Sequence, residues 1–451
     1  MDKGVDAISE SGNFAQIDLL IEPEWIIPVE PAGITLLNHA IAIKSGKIVG
    51  VLPQTEARQK FTPDQTVSLP GHVVLPGLIN LHTHAAMSLF RGYADDLPLK
   101  QWLNDRIWPA EGRWVSPGFV RDGTLLACAE MLRGGVTCFN DMYFYPNAIA
   151  DAAVQVGMRA AIGLVVLDFP TNYASDLGDY LSKGLTCRDQ WKDNPLLSFN
   201  LAPHAPYTVS DASFERIGML ASQLSLGIHI HLHETCEELD ESLKQYGIRP
   251  LERLHSLGLL GPQFLAVHAV HLDANEINLL ARFGAHVAHC PSSNLKLGSG
   301  IAPIAQLERA GVNFGIGTDG AASNNRLDSF AEMRLASLLA KGFSGDAMAL
   351  SAHRALHAAT LGGARALGLD GQLGSVSVGK FADLCALRLE HWQLLPRFDI
   401  ASHIVNVAAR NDVTHVWVAG IAKVHEGNLL PVDAGYLADT AEMWQNRVLN
   451  A

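Results

Sequence analysis

Gly71–His84 reads GHVVLPGLINLHTH. An apolar run delivers two histidines one residue apart, and the chain then turns polar and aromatic through AAMSLFRGYADDLPLKQWL. Side chains at i and i+2 of a strand share a face. His82 and His84 therefore stand side by side at the end of a buried strand. Two neutral imidazoles so placed can take a metal ion, or they can simply be polar residues closing a strand. H-x-H alone does not choose.

Upstream of this stretch, from Ile17 to about Leu69, the text is short and strand-like: IDLLIE, WIIPVE and HAIAIKSGKIVGVLP, where alternation and an SGK turn predict hairpins. Downstream, apolar strand-like runs alternate with helical ones. The strand candidates are VTCFNDMYF, GMRAAIGLVV, LSFNLAPHAPYT, SLGIHIHLHE, FLAVHAVHL, AHVAHCPSSN and VNFGIGTDGA. FVRDGTLLACAEMLRGG carries apolar residues at Leu125, Cys128, Met131 and Leu132 and stops at Gly134–Gly135, a helical pattern that INLLARFGA repeats. Seven or eight strands from His82 to Asp319, alternating with helices, predict parallel βα units closed as a (β/α)8 TIM barrel in the α/β class. The barrel pattern ends near Leu367, and GSVSVGKFADLCALRL and VTHVWVAGIAKVHEGNLL return to strands. The expected domains are a flexible tail over 1–16, a barrel over 71–380, and a small β-sandwich built from both chain ends, 17–70 and 381–451.

The 451 residues, 48% hydrophobic and 18% charged, suit a soluble globular protein with a large core. A net charge of −13, from 33 basic and 46 acidic residues, argues against a nucleic-acid partner. The six cysteines, Cys128, Cys138, Cys187, Cys236, Cys290 and Cys385, show no C-x-x-C spacing, which predicts free thiols in a reducing compartment. MDKGVDAISESGNFAQ has no basic and apolar signal-peptide regions, and no run approaches the ~18 apolar residues of a spanning helix. The expectation is a cytoplasmic protein with neither a membrane nor nucleic acid as partner. A homo-oligomer is left open.

Catalytic side chains of a barrel sit at the C-terminal ends of its strands. The first strand ends in His82 and His84, and a later one in His204. HIHLHE carries His229, His231, His233 and Glu234, AVHAVHL carries His268 and His271, and GIGTDG ends in Asp319. One such strand end means little, but five converging on one face indicate a metal site. Histidines with a carboxylate suit zinc or another borderline divalent ion with an open position for water, whose pKa it lowers to about 7. A nearby carboxylic acid that is not a ligand can then carry protons. His229, His231 and His233 share one strand face. His229, the deepest, reads as a packed core residue, and either His231 or His233 can be the ligand. Glu234 has the opposite parity and faces the pocket only if the strand ends near His233 and the chain turns; otherwise it is a solvated loop acid.

These residues resemble the amidohydrolase superfamily, and more closely the 5′-methylthioadenosine/S-adenosylhomocysteine deaminases and their triazine-hydrolase relatives. The resemblance runs from about Leu69 to Leu389 and is carried by PGLINLHTHAAMSLFRGYADDLPLKQWL, IWPAEG, NDMYFYP, APHAPYT, HIHLHET, AVHAVHL, HCPSSNLKLGSG, GIGTDGAASNNRLDSFAEMRLAS and GSVSVGKFADL. It implies that His82, His84, His231 and Asp319 hold the metal, with His231 selected because the proton-carrying glutamate, Glu234, follows three residues later. It implies that His268, with Asp319, deprotonates the water, that Glu111 accepts hydrogen bonds from the ribose 2′- and 3′-hydroxyls, and that His204 and Trp102 contact the substrate. Read on their own, Trp102 fits a core position, Glu111 a first-turn helix acid, and His204 a loop brace between prolines.

One departure stands out. Relatives that accept S-adenosylhomocysteine hold its carboxylate with arginines, yet the arginine expected shortly after Arg159 is absent and Leu164 lies near that position. The implied activity is hydrolytic deamination of an adenosine derivative at C6. The expected substrate is 5′-methylthioadenosine, with S-adenosylhomocysteine and adenosine as weaker ones. LSFNLAPHAPYT has no bridging lysine, so one metal ion, zinc, is expected per subunit. The alternatives are guanine deamination or triazine hydrolysis on the same scaffold, or a non-catalytic binding relative that would be expected to have lost ligands.

Overall fold

The computed structural model describes residues 15–450. The expected tail over 1–16 falls outside them except for Ala15 and Gln16, which are already strand, paired with Phe61 and Thr62. Eight parallel strands follow one another in strict chain order: Leu78–Thr83, Val136–Tyr143, Arg159–Val166, Leu197–Pro203, Gly227–Leu232, Phe264–His268, His286–His289 and Asn313–Ile316. Helices Pro117–Arg133, Pro146–Val156, Leu177–Trp191, Asp211–Leu224 and Ala274–Phe283 return the chain between them. The second and third strands are buried along their whole length, as expected when helices cover a parallel sheet.

Side chains join the first and eighth strands where the barrel closes. The Asn80 amide donates to Thr318 Oγ1 at 2.8 Å and accepts from the Thr318 N–H at 2.9 Å. The Asp319 N–H reaches the His82 carbonyl at 3.0 Å. The approach is close because the eighth strand continues into Gly317, where a Cβ would come within 2.9 Å of Cys290 Sγ and 3.0 Å of the His82 nitrogen.

The strands of both chain ends form one mixed sheet of nine strands beside the barrel. Its centre is the long strand Phe61–Pro76, parallel to Ala15–Ile26 and antiparallel to Leu384–Arg388. That strand runs through Gly77 into the first barrel strand, so the sheet sets the direction from which His82 and His84 enter. His39–Lys44 and Lys47–Pro53 form the hairpin that SGK predicts, with Ser45 and Gly46 at positive φ. Val413–Val418, Ile421–His425 and Asn428–Leu429 complete the far edge. Beyond them, Ala434–Leu449 is a helix, not a further strand. Asp433 caps it by accepting the Tyr436 N–H, and Trp444 packs on Phe119 of the barrel layer with its indole N–H on Asp122 at 2.9 Å.

Arg159 fixes the barrel to the sheet. Its guanidinium makes two hydrogen bonds to Asp383, at 2.7 and 3.2 Å, and one to the Pro195 carbonyl. All six cysteines are free thiols. No helix among the described residues is long and apolar enough to cross a membrane.

Candidate active site

His82, His84, His231 and Asp319 meet at the C-terminal mouth of the barrel, delivered by the ends of three strands or by the residues just beyond them, His82 and His84 by the same one. Each imidazole has its Nδ1 engaged behind it. His82 Nδ1 lies 2.9 Å from His229 Nε2, His84 Nδ1 donates to the Met142 carbonyl at 2.6 Å, and His231 Nδ1 donates to the His204 carbonyl at 2.7 Å. The bare Nε2 atoms therefore face inward. His82 Nε2 lies 3.3 Å from His231 Nε2, and the Nε2 atoms of His82 and His84 each lie 3.3 Å from Asp319 Oδ1.

Lone pairs facing lone pairs at this distance repel unless a cation lies between them. Ligands about 2.0–2.1 Å from one tetrahedral ion would show about this spacing. Burial holds the His82 imidazole neutral, with its pKa pushed down to about 4, and pushes His231 well below its usual range. Three hydrogen bonds, from two hydroxyls and one backbone N–H, favour the ionised form of the Asp319 carboxyl. The other Asp319 oxygen, Oδ2, accepts hydroxyls from Ser293 at 2.6 Å and Ser323 at 2.7 Å, while Oδ1 accepts the Gly320 N–H at 2.7 Å and faces the cluster. Neutral imidazoles and an ionised carboxylate form the donor set of a divalent ion.

The three histidines of the fifth strand have different surroundings. His229 lies beneath the cluster, against His82 and Asn140. The strand ends at Leu232, and His233 adopts a left-handed backbone with φ 54°. Its ring points away from the cluster and accepts the Leu251 N–H at 3.1 Å. The same turn swings Glu234 into the pocket, despite its parity. Glu238 holds the turn, its two carboxylate oxygens accepting the N–H groups of His233 at 3.0 Å and of Glu234 at 2.9 Å. Burial raises the Glu234 carboxyl above its usual range.

Across from it, His268 closes the sixth strand with φ 69°, and its Nε2 lies 3.6 Å from Glu234 Oε2. His268 Nδ1 donates to Asn294 Oδ1 at 2.8 Å, which leaves Nε2 as an acceptor aimed at the cluster. His271 lies aside, bonded to the Ser299 carbonyl.

A cleft opens over the cluster, and its walls include His84, Trp102, Glu111, His204, Glu234 and His268. Every residue expected at the site thus borders one cavity or the metal cluster. Trp102 also carries the core role its spacing suggests, with its indole N–H on the Ala94 carbonyl at 3.0 Å. His204 both lines the cleft and braces its loop through Thr208 Oγ1 at 3.1 Å. Glu111 accepts the Tyr143 hydroxyl at 2.7 Å through Oε1, while desolvation pushes its carboxyl up to about 7. Arg159 is far from this role, since Asp383 holds it at the other end of its strand. Sequence reasoning gave no role to Tyr143, Glu238, Ser293, Asn294 or Ser323. Of these, Glu238 alone carries a local signal, the T-x-x-E helix-start pattern of Thr235–Glu238.

A strand-end metal cluster with a non-ligand glutamate and histidine, on a parallel barrel joined to a sheet of both chain ends, defines a metal-dependent hydrolase. The model of the amidohydrolase family matches residues 73–422, and the chain belongs to that family. It is 47% identical to a 5-methylthioadenosine/S-adenosylhomocysteine deaminase of Saccharophagus degradans over 97% of this chain and 98% of the relative. Among solved structures, it is similar to an adenosine deaminase of Xanthomonas campestris with bound zinc: 49% identical, TM-score 0.96, covering 97% of this chain and all of the other. An atrazine chlorohydrolase of Arthrobacter aurescens shares the fold at 24% identity and TM-score 0.87, over 94% of this chain and 99% of the other.

Proposed function

We propose that this protein is a cytoplasmic hydrolase that deaminates adenosine derivatives at C6. It converts 5′-methylthioadenosine to 5′-methylthioinosine and ammonia, with S-adenosylhomocysteine and adenosine as weaker substrates. The observation that carries the reading is the pairing of Glu234 with His268 beside the cluster, 3.6 Å apart, at one end of a cleft that Glu111 also lines. Two of the proteins it resembles are a 5-methylthioadenosine/S-adenosylhomocysteine deaminase and an adenosine deaminase.

His82, His84, His231 and Asp319 would hold one divalent ion, for which zinc fits the donors. That ion supplies Lewis acidity and brings the pKa of a water close to 7. Glu234 keeps its proton to a higher pH than an ordinary glutamate and gives it to the ring nitrogen N1 as water adds to C6. His268 presents its bare Nε2 to the proton of that water, with Asp319 Oδ1 alongside. The C6 amino group takes up a proton and leaves as ammonia, and the carbonyl forms. Glu111 accepts the ribose hydroxyls through Oε2, with Oε1 occupied by Tyr143. The zinc deaminases of other folds pair a metal with a non-ligand glutamate in the same way.

Among the described residues, no lysine or arginine lines the cleft. The carboxylate of a homocysteine tail would lose its hydration there without a charged partner. A missing charge-assisted bond of ~1.5–3 kcal/mol corresponds to a kcat/KM for 5′-methylthioadenosine at least about tenfold above that for S-adenosylhomocysteine. Ammonia release from adenosine, the two thioethers, guanine and a chlorotriazine tests the assignment. Turnover of guanine or the triazine in preference to every adenosine would replace it.

A further inference from the structure

His229 is 1% exposed, inside a barrel where leucine or methionine would fill similar space without a polar atom to satisfy. Its Nε2 lies 2.9 Å from His82 Nδ1. The cluster fixes the tautomers of both rings. His82 turns Nε2 to His231 Nε2 and Asp319 Oδ1, so Nε2 is its ligand atom and its proton sits on Nδ1. His82 Nδ1–H therefore donates, and His229 Nε2 is the acceptor. The proton of the neutral His229 ring then lies on its own Nδ1.

We propose that His229 is a positioning residue for the metal: by accepting the His82 Nδ1–H, it fixes the tautomer and direction of that ligand and strengthens its Nε2 as a donor to the ion. The inference rests on the four-ligand metal site and goes beyond the deaminase reading, because it concerns how the chain holds the ion and not what it does to a nucleoside.

Three observations support the assignment. The first is the kind of acceptor. His84 and His231 direct Nδ1 to main-chain carbonyls, of Met142 and His204. Only His82 directs it to a side chain, so the residue type at 229 sets the strength of this ligand. A partner on the far nitrogen raises the basicity of a metal-bound imidazole.

The second is how the acceptor is held. The Asn140 amide nitrogen packs 3.3 Å from His229 Nδ1. Asn140 is itself fixed, donating to the Leu81 carbonyl at 2.9 Å and accepting the Asn200 amide at 2.9 Å. The rings of His229 and His82 stand edge to face, with centroids 5.0 Å apart and planes at 80°.

The third lies on the far side. His229 and Asn200 line a cavity at the opposite end of the barrel, together with Ser198, Ser225 and Gln263. Asn200 Oδ1 is buried without a hydrogen-bond partner among the described residues. A polar cavity of this kind backs the ring, where purely apolar packing would be expected behind a residue that only fills space.

The test is zinc affinity, measured by chelator competition at fixed pH on the full chain and on His229→Leu, His229→Met and His229→Gln. Leucine and methionine leave the His82 Nδ1–H buried without an acceptor, whereas the glutamine carbonyl can take the place of Nε2. The zinc Kd of the two apolar variants should rise by about 10–100-fold, and glutamine should recover most of that loss. In cobalt-substituted protein, the visible absorption bands should shift in the apolar variants and return towards the natural positions in His229→Gln. An apolar variant that binds zinc as tightly as the natural protein would overturn the proposal, and so would a glutamine variant that loses as much affinity as leucine. If the apolar variants do not fold, His229→Gln decides: near-natural affinity is the expected result, and a loss as large as that of His82→Ala would overturn it. A natural protein that binds one zinc but deaminates no nucleoside would overturn the proposed function and leave this inference standing; one that binds no zinc would overturn both.

Discussion

Glu234 and Glu111, to which the proposed function gives two different tasks, are both desolvated but have different neighbours. Glu234 is desolvated beside a histidine with a bare Nε2, so it can hold a proton and then give it up. Glu234→Gln keeps the volume and a hydrogen-bonding carbonyl but cannot cycle a proton. It should retain one metal per chain and near-normal KM while kcat falls by roughly 10²–10⁴; retention of most of the activity would make Glu234 a spectator. In the proposed reading Glu111 works as an acceptor and must be ionised to do so. Its carboxyl, pushed up to about 7 by desolvation, is protonated below that pH and charged above it. In the free enzyme, kcat/KM for ribosyl substrates should therefore rise with pH through about 7. Glu111→Gln should remove that limb of the profile, and a limb unchanged in the variant would assign the titration to another group.

At the scale of the element, the turn after the fifth strand matters more than the strand itself. Period-two spacing made the shared face of His82 and His84 legible, as it did for His229, His231 and His233. It could not tell His231 from His233, because parity is blind to where a strand stops. The left-handed backbone at His233 and the Glu238 carboxylate turn the chain there, with His233 away from the cluster and Glu234 inward. Removing that carboxylate leaves two backbone N–H groups in want of a partner, at about 1–3 kcal/mol each. Glu238→Ala should lower Tm and kcat together while metal content stays at one, as atomic absorption and thermal melts would show. Unchanged kcat would mean that the turn holds Glu234 without it. The segment Pro291–Lys296 plays a similar part, with Ser293 on Asp319 and Asn294 on His268. Nothing in the spacing of HCPSSN announces those partners, which lie 26 residues away in each case.

At the scale of the molecule, the alternation of strand and helix was enough to predict the barrel, because each βα unit must bury its strand on both faces. Text of similar composition at the two chain ends likewise predicted a small β-sandwich built from both, and the strands of the two ends do join, in one mixed sheet. The helix Ala434–Leu449 was harder to see, since only Leu437 and Trp444 are buried along it and strand-like text precedes it. The closure was invisible as well: Asn80 and Thr318 are 238 residues apart, and their mutual hydrogen bonds place the Asp319 end of the barrel against the His82 end. The metal cluster spans that seam, which couples the binding of an ion to barrel closure. The central claim, that one ion at this seam drives deamination of 5′-methylthioadenosine, is tested most directly by titrating the metal-free protein with zinc while measuring ammonia released from that nucleoside. Activity should rise in proportion to zinc and saturate at one ion per chain, with one ammonia for each nucleoside consumed. Saturation at two ions per chain, or no ammonia from the fully loaded protein, would contradict the account.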